Sequence, residues 1–113
     1  MATNNDDSLF FQGTLGQLTT TLINAYSGEI YEIFDEEFSI NNTSYDGLGG
    51  LDTLFLTNFG DFLTITDNVG IQVVNNVELF IAGSGGDVID LSHQTITLGD
   101  VIILGGAGDD VLW

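Results

Sequence analysis

Three glycine-rich segments constrain this chain more than any other feature, because each leads into an aspartate and then an apolar, strand-like run. The aspartates are Asp52, Asp87 and Asp110, each with a glycine two positions before it and an aliphatic residue two positions after it. The last segment fits the nonapeptide pattern Gly-Gly-x-Gly-x-Asp-x-aliphatic-x at every fixed position. The first departs from it at Leu48 and the second at Ala82. The segments are 47–55 (GLGGLDTLF), 82–90 (AGSGGDVID) and 105–113 (GGAGDDVLW).

The residue types in these segments suit a calcium ion held by tight turns. Glycine adopts positive φ without strain, so it lets the backbone turn sharply and aim carbonyl oxygens inward. Calcium takes about six to eight oxygen ligands from carboxylates and carbonyls. The pattern therefore predicts Ca²⁺ as the cofactor, against the alternative of three purely structural turns. The predicted ligands are the side chains of Asp46, Asp52, Asp87, Asp90, Asp109 and Asp110, with carbonyls near Gly47, Gly49, Gly83, Gly85, Gly105 and Gly108.

The charge of the chain is extreme, with 17 acidic residues and no Lys or Arg. A compact state must therefore tolerate self-repulsion or be neutralised by bound cations. The lack of basic residues excludes nucleic-acid binding through a basic patch and argues against binding to anionic membranes. No apolar run reaches the length of a membrane-spanning helix, so we expect no membrane insertion. At 43% apolar residues, the chain is too hydrophobic to be a solvated acidic tail.

Short strand-like runs, rich in Thr, Ile, Phe and Val, alternate with turns that contain Gly and Asn. Their density predicts an all-β fold, an irregular right-handed parallel β-solenoid or β-roll with Gly-Asp calcium-binding turns. A β-sandwich is the main alternative. Because side chains alternate along a strand, Leu54, Ile89 and Leu112 are expected to point into the core, and Asp90 and Trp113 outward. The predicted organisation is a flexible polar tail (1–8), an N-terminal β segment (9–44) and a calcium-binding, roll-like region (45–113) in one domain with 9–44.

From residue 45 to residue 113 the chain resembles the repeats-in-toxin (RTX, hemolysin-type) calcium-binding family. The resemblance rests on the three glycine-rich segments and on the run 77–92, which leads into and past the second of them. It implies a bacterial protein that type I secretion machinery exports and that folds outside the cell, where calcium is abundant. The implied location is secreted, extracellular or on the cell surface, with that machinery as a partner. Residues 110–113 are similar to the carboxy-terminal signals of such proteins, but the chain lacks the family's tandem array.

The two ends of the chain are apolar and strand-like, whereas solenoids usually end in polar caps. An uncapped strand edge is a template for pairing with another chain. We therefore predict head-to-tail self-association into a filament or layer. The alternative is a monomer in which Trp113 covers the core, or a fragment of a longer array. The predicted interface residues are Leu9, Phe10, Phe11, Val111, Leu112 and Trp113.

Other acidic and titratable residues are weaker candidates for a site. The cluster at 35–37 could bind a second cation or take part in glycoside hydrolysis, but a solvated acidic turn is the favoured interpretation. Asp61, Asp67 and Asp100 lie beside Gly or Asn in turns and are candidates for peripheral calcium ligands. His93, the sole imidazole, has no Cys partner and no Ser-triad signature, so we expect a turn residue. The sequence carries no catalytic signature, and we expect no enzyme.

The expected function is that of a secreted, calcium-binding structural protein that folds on Ca²⁺ and assembles into an extracellular filament, matrix or surface layer. Acidic loops repel one another without metal, and calcium would neutralise them and fix the turns. One alternative is a calcium-dependent adhesin or glycan-binding module, which an exposed aromatic patch away from the turns would favour. Another is the calcium-binding tail of a larger secreted protein.

Overall fold

A computed structural model describes residues 3–113, which form eleven strands and no helix. Among these residues there is no helix long and apolar enough to cross a membrane. The strands are β1 (Ser8–Phe10), β2 (Gly13–Ile23), β3 (Ile30–Asn41), β4 (Tyr45–Asp46), β5 (Thr53–Phe55), β6 (Asp61–Thr64), β7 (Val74–Asn75), β8 (Leu79–Ile81), β9 (Val88–Asp90), β10 (Ile102–Leu104) and β11 (Val111–Leu112).

A four-stranded sheet forms one side of the molecule, with the strand order β1-β5-β8-β10. Its pairings are all parallel. The register aligns Leu9 with Leu54, Leu54 with Phe80, and Phe80 with Ile103. These four side chains therefore form one row on the inner face of the sheet.

A five-stranded sheet faces it, with the order β11-β9-β6-β3-β2, and β4 and β7 form a separate parallel pair. The neighbours β11, β9, β6 and β3 are parallel, whereas β2 and β3 form an antiparallel hairpin. The connection of the hairpin is closed by Asn24, whose N–H donates to the carbonyl of Glu29 over 2.8 Å. The Asn24 side chain also accepts N–H bonds from Tyr26 and Ser27.

Two hydrophobic clusters hold these layers together. The main core lies between the two large sheets and includes the fully buried Leu54, Leu63, Phe80 and Ile89. A second cluster lies on the other face of the five-stranded sheet, because Val88 alternates with Ile89 along β9. In that cluster, the hairpin residues Ile33, Phe38, Leu18, Leu22, Tyr31 and Ile40 pack with Phe62, Val88 and Val111.

The predicted parallel β-solenoid or β-roll is wrong. The sheets mix parallel and antiparallel pairing, and the longest strands, β2 and β3, form an antiparallel hairpin. The physical reason is local. The alternating sequences of 13–23 and 30–41 are joined by a short turn that Asn24 and the positive-φ Gly28 stabilise, so the two strands pair with each other.

The three glycine-rich segments form turns of one backbone type. The second position of each has positive φ: 61° at Leu48, 78° at Gly83 and 69° at Gly106. The fourth position also has positive φ: 87° at Gly50, 96° at Gly85 and 105° at Gly108. Leu48 thus holds a left-handed conformation that glycine adopts more readily. The departure from the nonapeptide pattern at Leu48 leaves the shape of the turn unchanged.

We predict that Gly106→Ala destabilises the protein far more than Gly99→Ala. Both glycines have positive φ, 69° and 80°, so either change introduces backbone strain of more than about 1 kcal/mol. A Cβ at Gly106 would also overlap the carbonyl oxygen of Gly83, whereas a Cβ at Gly99 meets nothing within 4 Å. Chemical denaturation of the two variants measures the difference. Equal free energies of unfolding would show that the turns at 83 and 106 do not touch.

Candidate metal centre

Three acidic residues are stacked where the five-stranded sheet begins. Phe62 pairs with Val88, and Val88 with Val111, so the preceding residues Asp61, Asp87 and Asp110 are also in line. The N–H of Asp61 donates to Oδ1 of Asp87 over 2.9 Å, and the N–H of Asp87 donates to Oδ1 of Asp110 over 2.8 Å. We call these three residues the C-terminal ladder.

The four-stranded sheet begins with an equivalent row. The N–H of Asp7 donates to Oδ1 of Asp52, and the N–H of Asp52 donates to Oε1 of Glu78, both over 2.8 Å. We call Asp7, Asp52 and Glu78 the N-terminal ladder. In both ladders the carboxylate of one turn accepts the backbone N–H of the turn before it. Each of these bonds is charge-assisted when the carboxylate is ionised.

In each of two ladder carboxylates, one oxygen has no hydrogen-bond partner within residues 3–113. Asp52 is 1% exposed and Asp87 is 0% exposed, and the unpaired atoms are Oδ2 of each. A buried charged oxygen without a partner costs several kcal/mol, typically more than about 3. Oδ2 of Asp52 points at Gly47, where a Cβ would overlap it. The glycine therefore leaves open the space in front of an unsatisfied anionic oxygen.

Burial also changes the pKa values of the C-terminal ladder. The pKa of Asp87 is raised to about 7, chiefly by desolvation and also by the charges of Asp61 and Asp110, against the hydrogen bond from the Asp61 backbone. Desolvation also raises the pKa of Asp61, although hydrogen bonds from Thr57 oppose this. Near neutral pH the Asp87 carboxyl therefore needs either a proton or a cation.

Backbone carbonyls approach the glycines of the next turn. The carbonyl oxygen of Phe59 lies 2.7 Å from the position a Cβ would take on Gly85, and that of Thr57 lies 2.8 Å from the same position on Gly83. In the N-terminal ladder, the carbonyl oxygen of Asn5 lies 2.6 Å from that position on Gly50. Only a residue without a Cβ allows a carbonyl oxygen to approach so closely, so these glycines let the successive turns stack in contact.

The structure separates the predicted ligands into two groups. The first repeat, with Asp52, Gly47, Gly49 and Asp46, belongs to the N-terminal ladder, and the other two repeats belong to the C-terminal one. Asp46 is exposed and accepts bonds from Leu48 and Asn76, which lower its pKa. Asp90 lies on the face of β9 opposite to Ile89, but it is buried there, at 8% exposure, and accepts bonds from Ser92. The predicted ligands that come together in the C-terminal ladder and its turns are Asp87, Asp110, Gly83, Gly85, Gly105 and Gly108. The exposed Asp109 lies on the same last turn.

Two ladder residues, Asp7 and Glu78, were missed by the sequence analysis, and Asp61 was predicted only as a peripheral ligand. Asp7 and Glu78 directly precede a strand, as Asp52 and Asp87 do, and Asp61 is the first residue of β6. An acidic residue just before a strand, or at its first position, was therefore the signal that could have found them. A search for the glycine motif does not find these residues, because the turns before Asp7, Asp61 and Glu78 do not match that motif.

The other candidate residues form no site. Within residues 3–113, no group of three or more His, Cys, Asp or Glu side chains is placed to hold a metal ion. A cation at the ladders would therefore take part of its ligands from backbone carbonyls, as calcium does. His93 lies in a turn, where its Nδ1 accepts the N–H groups of Thr95 and Ile96, both over 3.1 Å.

Comparison of the chain with models of known protein families, with curated protein sequences and with solved structures gives no match. The resemblance to the RTX family therefore rests on the sequence pattern, and calcium binding, secretion and assembly stay predictions. The flexibility predicted for residues 1–8 is likewise a prediction. Met1 and Ala2 lie outside the described residues, while Thr3 and Asp7 are joined by a hydrogen bond from the Thr3 N–H to the Asp7 carboxylate.

We predict that the cation-free protein becomes more stable as the pH falls from about 8 to about 5, because the folded state then binds a proton that the unfolded state does not. The pKa of Asp87 is about 7 when folded, above its ordinary value, so the destabilisation is complete above that pH and is relieved below it. Asp87→Asn should weaken this dependence, and the exposed Asp100→Asn should not. Thermal unfolding in buffer stripped of divalent cations measures both. Parallel pH profiles for the two variants would contradict the assignment.

Proposed function

We propose that this protein is a secreted, calcium-binding structural protein whose fold is completed by Ca²⁺ at the glycine-rich turns. The observation that carries the proposal is the unpaired Oδ2 of Asp52 and of Asp87, at 1% and 0% exposure. A cation at each ladder would supply the partner that the Oδ2 atom there lacks. It would also offset part of a net charge of −17 in a chain with no basic side chain.

The chemistry of the donors favours calcium over other cations. The chain has no Cys, and its one His lies outside both ladders, so the nitrogen and sulfur ligands that zinc prefers are missing. Carboxylates and carbonyls remain, and these are the ligands of calcium and magnesium. Calcium tolerates irregular geometry and many carbonyls, whereas magnesium demands a nearly ideal octahedron and keeps several waters. Asp87, Asp110 and carbonyls of the turns at 83–85 would hold the ion in the C-terminal ladder, and Asp52 in the N-terminal one.

Calcium bound only by the folded chain stabilises it by mass action. A protein built in this way would stay loosely folded where calcium is scarce and fold where calcium is abundant. That behaviour suits an extracellular structural role, and we infer no catalytic activity. The carboxyls of the ladders accept backbone N–H groups, and neither ladder contains a Ser, Cys, Lys or His side chain.

The outer strands of the two large sheets indicate where a head-to-tail contact between copies could form. β1 and β10 are the outer strands of the four-stranded sheet, and Phe10, Ile102 and Leu104 on them are 66%, 61% and 51% exposed. β2 lies at one end of the five-stranded sheet and runs antiparallel to β3, so among residues 3–113 a parallel continuation of a large sheet between copies would join β10 to β1. Among the predicted interface residues, Phe10 and Leu112 are exposed, Leu9, Val111 and Trp113 are half-buried, and Phe11 is buried.

The first expected result is that calcium raises the stability of the wild type and that Asp87→Asn loses the part of this gain that the C-terminal ladder contributes. Binding should fall in the range of extracellular modules, with a Kd of about 0.1–1 mM. Asp100→Asn removes the same charge from an exposed turn and is the control. Circular dichroism and isothermal titration calorimetry over a calcium titration measure folding and binding. The proposal would be contradicted if the wild type had the same melting curve in chelator and in about 10 mM calcium.

The second expected result is calcium-dependent assembly that requires Phe10. Phe10→Ser should remove scattering, because this side chain lies on the free edge and stacks on Phe55 at 5.7 Å. Phe59→Ser is the matched control, since Phe59 is 67% exposed and Phe10 is 66% exposed. Light scattering and negative-stain microscopy, with and without calcium, measure assembly of the wild type and of both variants. Dispersed wild-type particles under both conditions would rule out the assembly.

A second candidate function, glycan binding, is favoured by one cleft of about 550 Å³. Tyr26 and Trp113 line it together with the polar Asn24, Ser27 and Thr97. Aromatic faces with nearby hydroxyl and amide groups suit a sugar, and the cleft lies away from the glycine-rich turns. A calcium-induced β signal without scattering would favour this monomeric module over the assembling one.

A further inference from the structure

β2 is the longest outer strand of the molecule, and no charged residue lies in it. It runs over 11 residues, Gly13–Ile23, in a chain with a net charge of −17. No strand among residues 3–113 pairs with its outer edge. The other outer strands are short, with two or three residues, and each directly follows an acidic residue or lies close to one.

The backbone of this edge is regular. In an antiparallel pair, every second residue of a strand forms hydrogen bonds with the neighbouring strand. The N–H of Asn24 bonds to the carbonyl of Glu29. The even-numbered residues of β2 are therefore the ones that bond to β3. The N–H and C=O groups of Thr19, Thr21 and Ile23 therefore point away from β3. The register shifts between Leu18 and Thr20, but the additional residue lies on β3. The outer edge of β2 is therefore uninterrupted.

Soluble proteins usually protect such an edge with Lys, Pro or a bulge, or by keeping it short. β2 has no Lys, no Pro and no added residue, and it presents Leu15 and Ile23, which are 63% and 61% exposed. An unprotected edge of this length is a site for strand addition. The strand that it fits must be extended and must not be acidic, because the chain carries a net charge of −17.

We propose that β2 pairs antiparallel with β2 of a second copy of this chain, forming a two-fold dimer whose five-stranded sheets join into one. Among the outer strands in residues 3–113, β2 is the long one without a charged residue, so it is the edge at which two copies of a chain with a net charge of −17 can pair without carboxylates on the paired strands. An antiparallel strand paired with itself obeys two-fold symmetry, so the contact closes at two copies.

The register with the greatest overlap places the two-fold axis at Leu18, the midpoint of β2. Thr19 then faces Gln17 of the partner, and both belong to the set whose N–H groups point outward. Leu18 and Leu22 lie on the face that contacts the second hydrophobic cluster. Pairing therefore extends that cluster across the dimer. This contact uses neither ladder and is independent of the head-to-tail contact proposed above.

Substitution at Thr21 tests the dimer. Thr21→Pro removes an N–H that points only toward the partner, and Thr21→Lys places a charge on the edge opposite Glu32 of the same chain, where it supports the fold. Thr21→Val keeps the N–H and the branched shape and is the control. The expected masses at about 100 µM are twice the chain mass for the wild type and Thr21→Val, and the single mass for the other two.

All of these chains, including the one that is otherwise wild type, also carry Phe10→Ser and are measured in about 10 mM calcium, so that a head-to-tail contact does not add to the mass. Amide hydrogen exchange locates the interface: Gln17 and Thr19, which are unchanged in the variant, should exchange at least about tenfold more slowly in the dimer than in Thr21→Lys. A monomeric wild type would overturn the proposal. So would a dimer that survives both Thr21→Pro and Thr21→Lys, or one in which Gln17 and Thr19 exchange freely.

Discussion

The bond between a backbone N–H and the carboxylate of the following turn is the interaction on which the rest of the structure depends. It fixes how the glycine-rich turns stack, because Asp61, Asp87 and Asp110 can be joined only when their strands are in register. It also requires acidic residues at buried positions of a chain that has no basic side chain. Each carboxylate uses one oxygen for this bond, and in Asp52 and Asp87 the other is left unpaired. Structural order and the unpaired, buried carboxylate oxygens therefore have the same origin.

The hairpin of β2 and β3 serves a different purpose from the stacked turns. Its inner side chains, among them Ile33 and Leu22, cover the outer face of the five-stranded sheet and form the second cluster. The outer face of the four-stranded sheet has no such cover, and Ile102 and Leu104 remain exposed there. The molecule is therefore asymmetric, with long antiparallel strands at one end and short strands with nearby acids at the other. The two self-contacts proposed for this chain use these two different kinds of edge.

Part of the site could be predicted from sequence, since local chemistry decided it. The turn conformation followed from the glycine pattern, even at Leu48, where positive φ persists without a glycine. Leu54 and Ile89 point into the core as predicted, because alternation along a strand is a local rule. Leu112 does not follow it fully and is 37% exposed, because it lies on the last strand of its sheet, with no neighbour beyond. The fold prediction failed at β2 and β3, where pairing between neighbours in the chain prevailed over a repeated parallel coil.

The sequence by itself determined the charge, the absence of sulfur ligands, and the three turns with an aspartate at the end of each. These properties belong to single residues or to short segments, so they need no knowledge of pairing. The tertiary structure alone decided that Asp52 joins Asp7 and Glu78, while Asp87 joins Asp61 and Asp110. Residues far apart in the chain meet there through strand register, which the packing of both hydrophobic clusters sets. Register and burial also decided which carboxylate oxygens were left without a partner.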